Sequence, residues 1–344
     1  VSNLQLDLEI VGRYLEANIS GFKGLRNAKK FEGGQSNPTY LLNASSGQYV
    51  LRRQPPGNLL KSAHAVDREF RVIKALRNSD VPVARADHLC EDKQVIGSLF
   101  YVMSYEQGRV FWDPALPDLT NKQRTEIYDE MNRVLAALHE VNVEAVGLDD
   151  YGRPGNYFER QISRWTKQYQ ASETEVIVAM DKLIDWVSTN IPKDDGQVSL
   201  IHGDYRMDNI IFHPTESNAL ALLDWELSTL GHPYADLAYQ CMQLRVRRDA
   251  AIAGLGELDR KAHGIPSEAE YVAQYCERRG IDTIPNWSFY VAVIADLRPD
   301  GARNACRTVG WTEDGIAATD FTDETDTAIA RDDVDVVIEA TGNP

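Results

Sequence analysis

The chain has 344 residues and carries 52 Asp and Glu against 36 Lys and Arg, a formal charge of −16; that length leaves room for two lobes with a sizeable core. The acidity disfavours a nucleic-acid partner, since no basic patch compensates it, and about half of the excess lies after residue 290. Cys90, Cys241, Cys276 and Cys306 form no CxxC pair and point to reduced, buried thiols, while the absence of a leader pattern in residues 1–20 and of any run approaching a membrane span makes a soluble cytoplasmic protein the expectation.

In chain order, Leu8, Val11, Leu15 and Ile19 recur at helical spacing, with Asp7 placed to cap and Gly21 to stop, which predicts an opening amphipathic helix. Between two predicted strands, Phe31-Glu32-Gly33-Gly34-Gln35-Ser36-Asn37-Pro38-Thr39-Tyr40 has glycines that let backbone amides approach a phosphate. Ser36, Asn37 and Thr39 add donors, although a Gly-Gly turn is also an ordinary hairpin. The strand over 48–53 sends Arg52 and Arg53 to opposite faces. Arg52 is then either a phosphate-holding cation or a surface arginine on an edge strand. Val66, Phe70, Ile73 and Leu76 give the apolar stripe of a helix, with Glu69 beside it, where a carboxylate can reach the strand cation. Asp67 and Arg68 compete for that role, and a solvated helix face is the plainer alternative. Residues 99–103 read as an apolar strand running into the polar connection 104–108. An irregular loop over 108–120 and helices over 127–141 and 157–169 follow, with His139 a capping or core histidine.

The stretch 201–226 carries the chemistry. Ile210, Ile211 and Phe212 predict a short strand, 213–218 a turn and 219–223 a second strand running back. A hairpin of that length returns Asp224 to the neighbourhood of Asn209, with Asp204 on the loop just before. An amide oxygen and two carboxylates suit Mg²⁺, which is held by one or two carboxylates plus substrate phosphates. His202-Gly203-Asp204 followed five residues later by Asn209 has the spacing of the protein-kinase catalytic loop, and Asp224 takes the place of the metal-binding aspartate after it.

With HGDxxxxN and LLDWE in place, the chain resembles the aminoglycoside phosphotransferase family of small-molecule kinases. GGQSNPTY and VLRR followed by PPG are similar to the kinase-like domains linked to acyl-CoA dehydrogenase family members. The resemblance implies an α+β, bilobal protein-kinase-like fold: a small β-rich lobe over 1–107 and a mainly helical lobe over 108–294. It implies ATP and Mg²⁺, with Asp204, His202 and Arg206 catalytic and Asn209 and Asp224 holding the metal. Gly33, Gly34, Ser36 and Asn37 would cover the nucleotide, Arg52 paired with Glu69 would fix its phosphates, and Met103 and Tyr105 would line the base pocket. The implied activity is transfer of the ATP γ-phosphoryl group to a hydroxyl of a small molecule, a hydroxyacyl-CoA or related metabolite; an aminoglycoside kinase and a catalytically impaired nucleotide-binding scaffold are the alternatives.

Beyond the hairpin, Asp236 suits a helix N-cap, and in the family an aspartate there braces the catalytic loop. Helices are predicted over 271–279 and 287–294. Asp296 to Gly301 breaks the pattern, and residues 295–344 form an atypical acidic tail. Its end, 335–342, is similar to an inner strand of a dinucleotide-binding oxidoreductase but lacks G-x-G-x-x-G, so it builds no NAD site.

Overall fold

The structure is a computed structural model that describes residues 6–31, 37–55, 65–172, 178–248 and 253–294. By contacts the chain divides into two units. The first comprises the described residues up to Val110, Asn142–Asp149 and Asp208–Ser228, and the second comprises Phe111–Val141 and the described residues from Asp150 to Met207 and from Thr229 on.

The first unit opens with α1 (Leu8–Asn18), whose N-cap Asp7 accepts from the amides of Glu9 and Ile10. It continues through β1 (Leu25–Lys30), β2 (Thr39–Ala44), β3 (Gly47–Arg53), α2 (Val66–Leu76), β4 (Ala86–Cys90) and β5 (Phe100–Ser104). The five strands form an antiparallel sheet in the order β1-β2-β3-β5-β4. Strand alternation sorts the side chains. Leu42, Tyr49, Leu51, Phe100 and Val102 join Val11, Leu15 and Phe22 in one apolar core. The intervening positions Val50, Arg52, Tyr101 and Met103 share the opposite face, with Arg52 opposite Tyr101 and Val50 opposite Met103 in register. Residue 52 therefore belongs to a different surface from residue 53, whose guanidinium donates to Ser98 Oγ and the Ile96 carbonyl.

In the second unit, α3 (Asn121–His139) starts at a capping box between Thr120 and Gln123, earlier than the apolar periodicity indicates. After α3 come α4 (Tyr157–Ser172), α5 (Val178–Thr189) and β6 (Ser199–Ile201). The chain passes between units at Met207 and Asp208. It then forms the hairpin β7 (Ile210–Phe212) and β8 (Ala219–Leu222), which pair antiparallel with Ile210 opposite Leu222. This hairpin belongs to the first unit, where Arg109 and Phe212 exchange backbone hydrogen bonds and Leu222 N donates to the Pro82 carbonyl.

Back in the second unit, β9 (Thr229–Gly231) pairs with β6, and α6 (Tyr234–Gln243), α7 (Glu268–Arg279) and α8 (Trp287–Ile294) follow. Met131, Val134, Leu135, Leu138, Tyr205, Tyr271 and Tyr275 are buried there. Among the described residues no helix is long and apolar enough to cross a membrane. Cys90, Cys241 and Cys276 are buried free thiols, while Cys306 and the expected tail strand lie outside the described residues.

Candidate active site

In the first unit the even-numbered face of β3 delivers Arg52 to a cluster of carboxylates. Arg52 Nε lies 2.8 Å from Glu69 Oε2, Nη2 lies 2.6 Å from Asp224 Oδ1, and the same nitrogen is 3.7 Å from Glu226 Oε2. The Nε contact is a close charge pair that lacks the alignment of a hydrogen bond. Glu69 reaches the sheet because it sits on the buried side of α2, and its side chain is 1% exposed. Its Oε1 accepts from Asn37 Nδ2 at 2.8 Å and its Oε2 from the Tyr101 hydroxyl at 3.1 Å. Burial raises the Glu69 pKa against the pull of Arg52. Burial likewise opposes the Arg52 charge, but Glu69, Tyr101, Asp224 and Glu226 outweigh it and the guanidinium is held firmly protonated.

Asp224 is brought to this cluster by the hairpin. Leu223 N donates to the Asn209 carbonyl at 2.8 Å, so the ladder places the two predicted metal ligands at adjoining strand ends. Asp224 takes φ +63° and ψ 61°, a left-handed conformation that few residues other than Gly, Asn and Asp accept without strain. The buried Trp225 anchors the turn by donating from Nε1 to the Leu222 carbonyl. Asn209 and Asp224 offer hard oxygen donors, and the Asp224 side chain is 35% exposed. Among the described residues no group of three or more His, Cys, Asp or Glu forms a metal cage. The donor set fits Mg²⁺, which takes one or two carboxylates and completes its shell with water and phosphate oxygens.

The second unit holds the loop of Asp204. His202 follows β6, is fully buried, and accepts at Nδ1 from the Asp204 amide at 3.2 Å. Gly203 has φ +86°, which suits the residue without a Cβ. Asp236 accepts from the amides of His202 at 2.6 Å and Gly203 at 2.9 Å. This replaces the N-cap expectation for Asp236: Pro233 occupies the cap position of α6, and the aspartate sits in the first turn, turned onto the loop. The loop-bracing role implied by resemblance matches this geometry. His139 lies behind it, with Nε2 3.4 Å from Asp236 Oδ2 and Nδ1 2.8 Å from the Tyr275 hydroxyl. A neutral ring donating from Nε2 and accepting at Nδ1 satisfies both partners. Burial lowers the His139 pKa. Burial pushes the Asp236 pKa upward, but His139 and the loop amides outweigh it and the net shift is downward. Asp204 Oδ1 accepts from the Tyr239 hydroxyl at 2.6 Å and lies 3.7 Å from Arg206 Nε.

Of the residues singled out from sequence, Asn37, Arg52, Glu69, Asn209 and Asp224 are thus gathered in the first unit, where Met103 shares the Arg52 face and Tyr105 is half-buried just past β5. His202, Asp204 and Arg206 share one loop of the second. Gly33, Gly34 and Ser36 lie outside the described residues. Tyr101, Glu226 and Tyr239 were not anticipated. Tyr101 could have been found from its parity with Met103 on one strand, and Tyr239 from its position one helical turn after Asp236.

An antiparallel sheet unit carrying an arginine–glutamate pair, a helical unit and an HGDxxxxN loop define a kinase-like phosphotransferase fold. The sequence matches the phosphotransferase enzyme family over residues 27–280, and the chain belongs to that family. Acyl-CoA dehydrogenase family member 10 of Mus musculus is 47% identical over 284 residues, covering 81% of this chain and 26% of that protein. The chain therefore spans about a quarter of that relative's length. A solved structure from Ralstonia eutropha JMP134, which carries a provisional aminoglycoside phosphotransferase assignment, is 47% identical with a TM-score of 0.79 and covers 88% of this chain and 89% of its own. The streptomycin–ATP ternary complex of APH(2")-IIa shares the fold at 17% identity, with a TM-score of 0.55 and 92% of each chain covered.

Proposed function

We propose that this chain transfers the γ-phosphoryl group of ATP to a hydroxyl of a small molecule. The observation that carries the reading is the Arg52 guanidinium held between Glu69 and Asp224. A permanently charged, oriented fork is suited to phosphate oxygens, and Glu69 sets its direction. In this reading Arg52 fixes the nucleotide phosphates and Glu69 orients Arg52. Gly33, Gly34, Ser36 and Asn37 would cover the nucleotide, and Met103 and Tyr105 would line the base site. Asn209 and Asp224 would hold Mg²⁺, which when bound supplies charge compensation on the phosphates. Asp204 orients the acceptor hydroxyl and takes its proton, with His202 and Arg206 supporting that loop. The transition state for such transfer is loose, so positioning and charge compensation outweigh strong proton abstraction.

A hydroxyacyl-CoA or related hydroxylated metabolite is the favoured acceptor, supported by the relatives named for acyl-CoA dehydrogenases. An aminoglycoside is the second reading, favoured by the assignment of the Ralstonia protein. ADP release from MgATP, measured with a panel of hydroxyacyl-CoAs and a panel of aminoglycosides, separates the two. Stimulation by the first panel supports the favoured acceptor and stimulation by the second alone replaces it; no stimulation by either, with no release to water, removes the kinase reading.

A further inference from the structure

Helix α6 grips the Asp204 loop at two points three residues apart. Asp236 takes the backbone amides of His202 and Gly203, and Tyr239, one turn further along the same face, donates its hydroxyl to Asp204 Oδ1 at 2.6 Å. The anchor of this grip is itself fixed, because Asp236 is fully buried against His139 and His139 against Tyr275. The phenol therefore approaches the carboxylate from an element that is tied to the same loop. Arg206 Nε, 3.7 Å from Oδ1, adds its charge on the side of that oxygen.

A carboxylate can turn about its Cβ–Cγ bond and exchange its two oxygens. A short hydrogen bond from a neutral hydroxyl to one oxygen makes them inequivalent and sets the plane of the group, and a charge-assisted bond of this kind is stronger than a neutral one. We propose that Tyr239 is a positioning residue for phosphoryl transfer: its hydrogen bond to Asp204 Oδ1 fixes the plane of the carboxylate that takes the substrate proton. This inference rests on the reading of Asp204 as the base. In the step, the O–H bond of the acceptor hydroxyl breaks and its proton passes to the Asp204 carboxylate. The acceptor oxygen forms its bond to the γ-phosphorus with the electron pair left behind. The bond between that phosphorus and the β,γ-bridging oxygen breaks, its electron pair leaving with ADP. Tyr239 keeps its own proton throughout, so its contribution is orientation of the carboxylate plane, the kind of pre-alignment that raises turnover without tightening nucleotide binding.

The test is Tyr239→Phe, which keeps the ring and removes only the hydroxyl. ADP release from MgATP is followed with water as the acceptor and with the hydroxyacyl-CoA panel, in the full chain and in the Asp204→Ala background, alongside melting temperature and KM for MgATP. The proposal expects a melting temperature and KM close to wild type, kcat lower by roughly tenfold, and no further loss when the substitution is added to Asp204→Ala. Unchanged kcat overturns it, as does an equal loss in the Asp204→Ala background. A Tyr239→Phe protein that melts far lower or fails to fold assigns the hydroxyl to stability and overturns it as well. If instead Asp204→Ala releases ADP like wild type, or wild type releases none, the reading of Asp204 fails, an outcome distinct from failure of the Tyr239 assignment.

Discussion

Replacing Arg52 by methionine isolates the charge pair at the centre of the first unit. The substitution leaves Glu69, 1% exposed, without its cation at 2.8 Å. Truncating one partner of a buried pair costs about 3–5 kcal/mol because the other charge is left uncompensated. Two donors remain on Glu69, Asn37 Nδ2 at 2.8 Å and the Tyr101 hydroxyl at 3.1 Å, which place the loss near the lower end, about 3 kcal/mol. Asp224 and Glu226 are more exposed, at 35% and 26%, and solvent screens most of what they would add. For a unit of this size the loss corresponds to a melting temperature lower by about 6–12 °C.

The loss should also depend on pH. Burial already raises the Glu69 pKa, and removing the guanidinium raises it further. A carboxyl whose folded pKa lies above its unfolded value favours the fold below the unfolded value, and that contribution is lost as pH rises through the folded value. The Arg52→Met deficit relative to wild type is therefore larger at about pH 8 than at about pH 5.5, and Glu69→Gln in the same chain recovers part of it. Thermal melts of wild type, Arg52→Met and the double variant at the two pH values provide the comparison. A variant that melts with wild type at both, or a deficit that grows on acidification, would refute the argument.

Asp204→Ala should bind MgATP with near wild-type affinity in calorimetry while losing turnover by about 10²–10⁴; a variant with wild-type turnover would sink the assignment of the base. His139 is buried and neutral in the fold, its pKa lowered from the ordinary 6.5. The unfolded chain therefore binds a proton there that the folded chain does not, and stability falls as pH drops below that value. His139→Gln, which can still donate to Asp236 and accept from Tyr275, should be less stable near neutrality but show a shallower loss between about pH 6.5 and pH 5. An equally steep acid limb in the variant would show that His139 carries none of it; His88 and His232, also lowered by burial, remain to supply the rest.

What could be read from the chain depended on whether the information was local. The hairpin was legible because a β-branched run, a Pro-containing turn and a second apolar run fix their own geometry, and Asp224 meets Asn209 through the ladder that results. The choice of Arg52 over Arg53 was legible because a period of two leaves one answer once the apolar face of β3 is known. The cap reading of Asp236 fails because a capping residue and a first-turn residue differ by a few positions, and only the placement of β6 and its loop turns the carboxylate toward the His202 and Gly203 amides. The hydroxyl of Tyr239 on Asp204 joins residues 35 apart, and its one signal, a place one helical turn after Asp236, is readable only once Asp236 is known to face the loop. β6 and β9, three residues each, are too short for a periodic signal. α5 is absent from the predicted helices although Met180, Leu183, Ile184 and Val187 carry the spacing of a helix face.

The proposed nucleotide site is metal-dependent and built on Asp224. The most direct test is differential scanning fluorimetry of the full chain and of Asp224→Ala, each with ATP, with Mg²⁺ and with both. The wild type should show a rise in melting temperature that requires ATP and Mg²⁺ together, as expected for a ligand that binds only the folded state, and Asp224→Ala should lose it or show it strongly reduced. No joint shift in the wild type, or an equal shift in the variant, would contradict it.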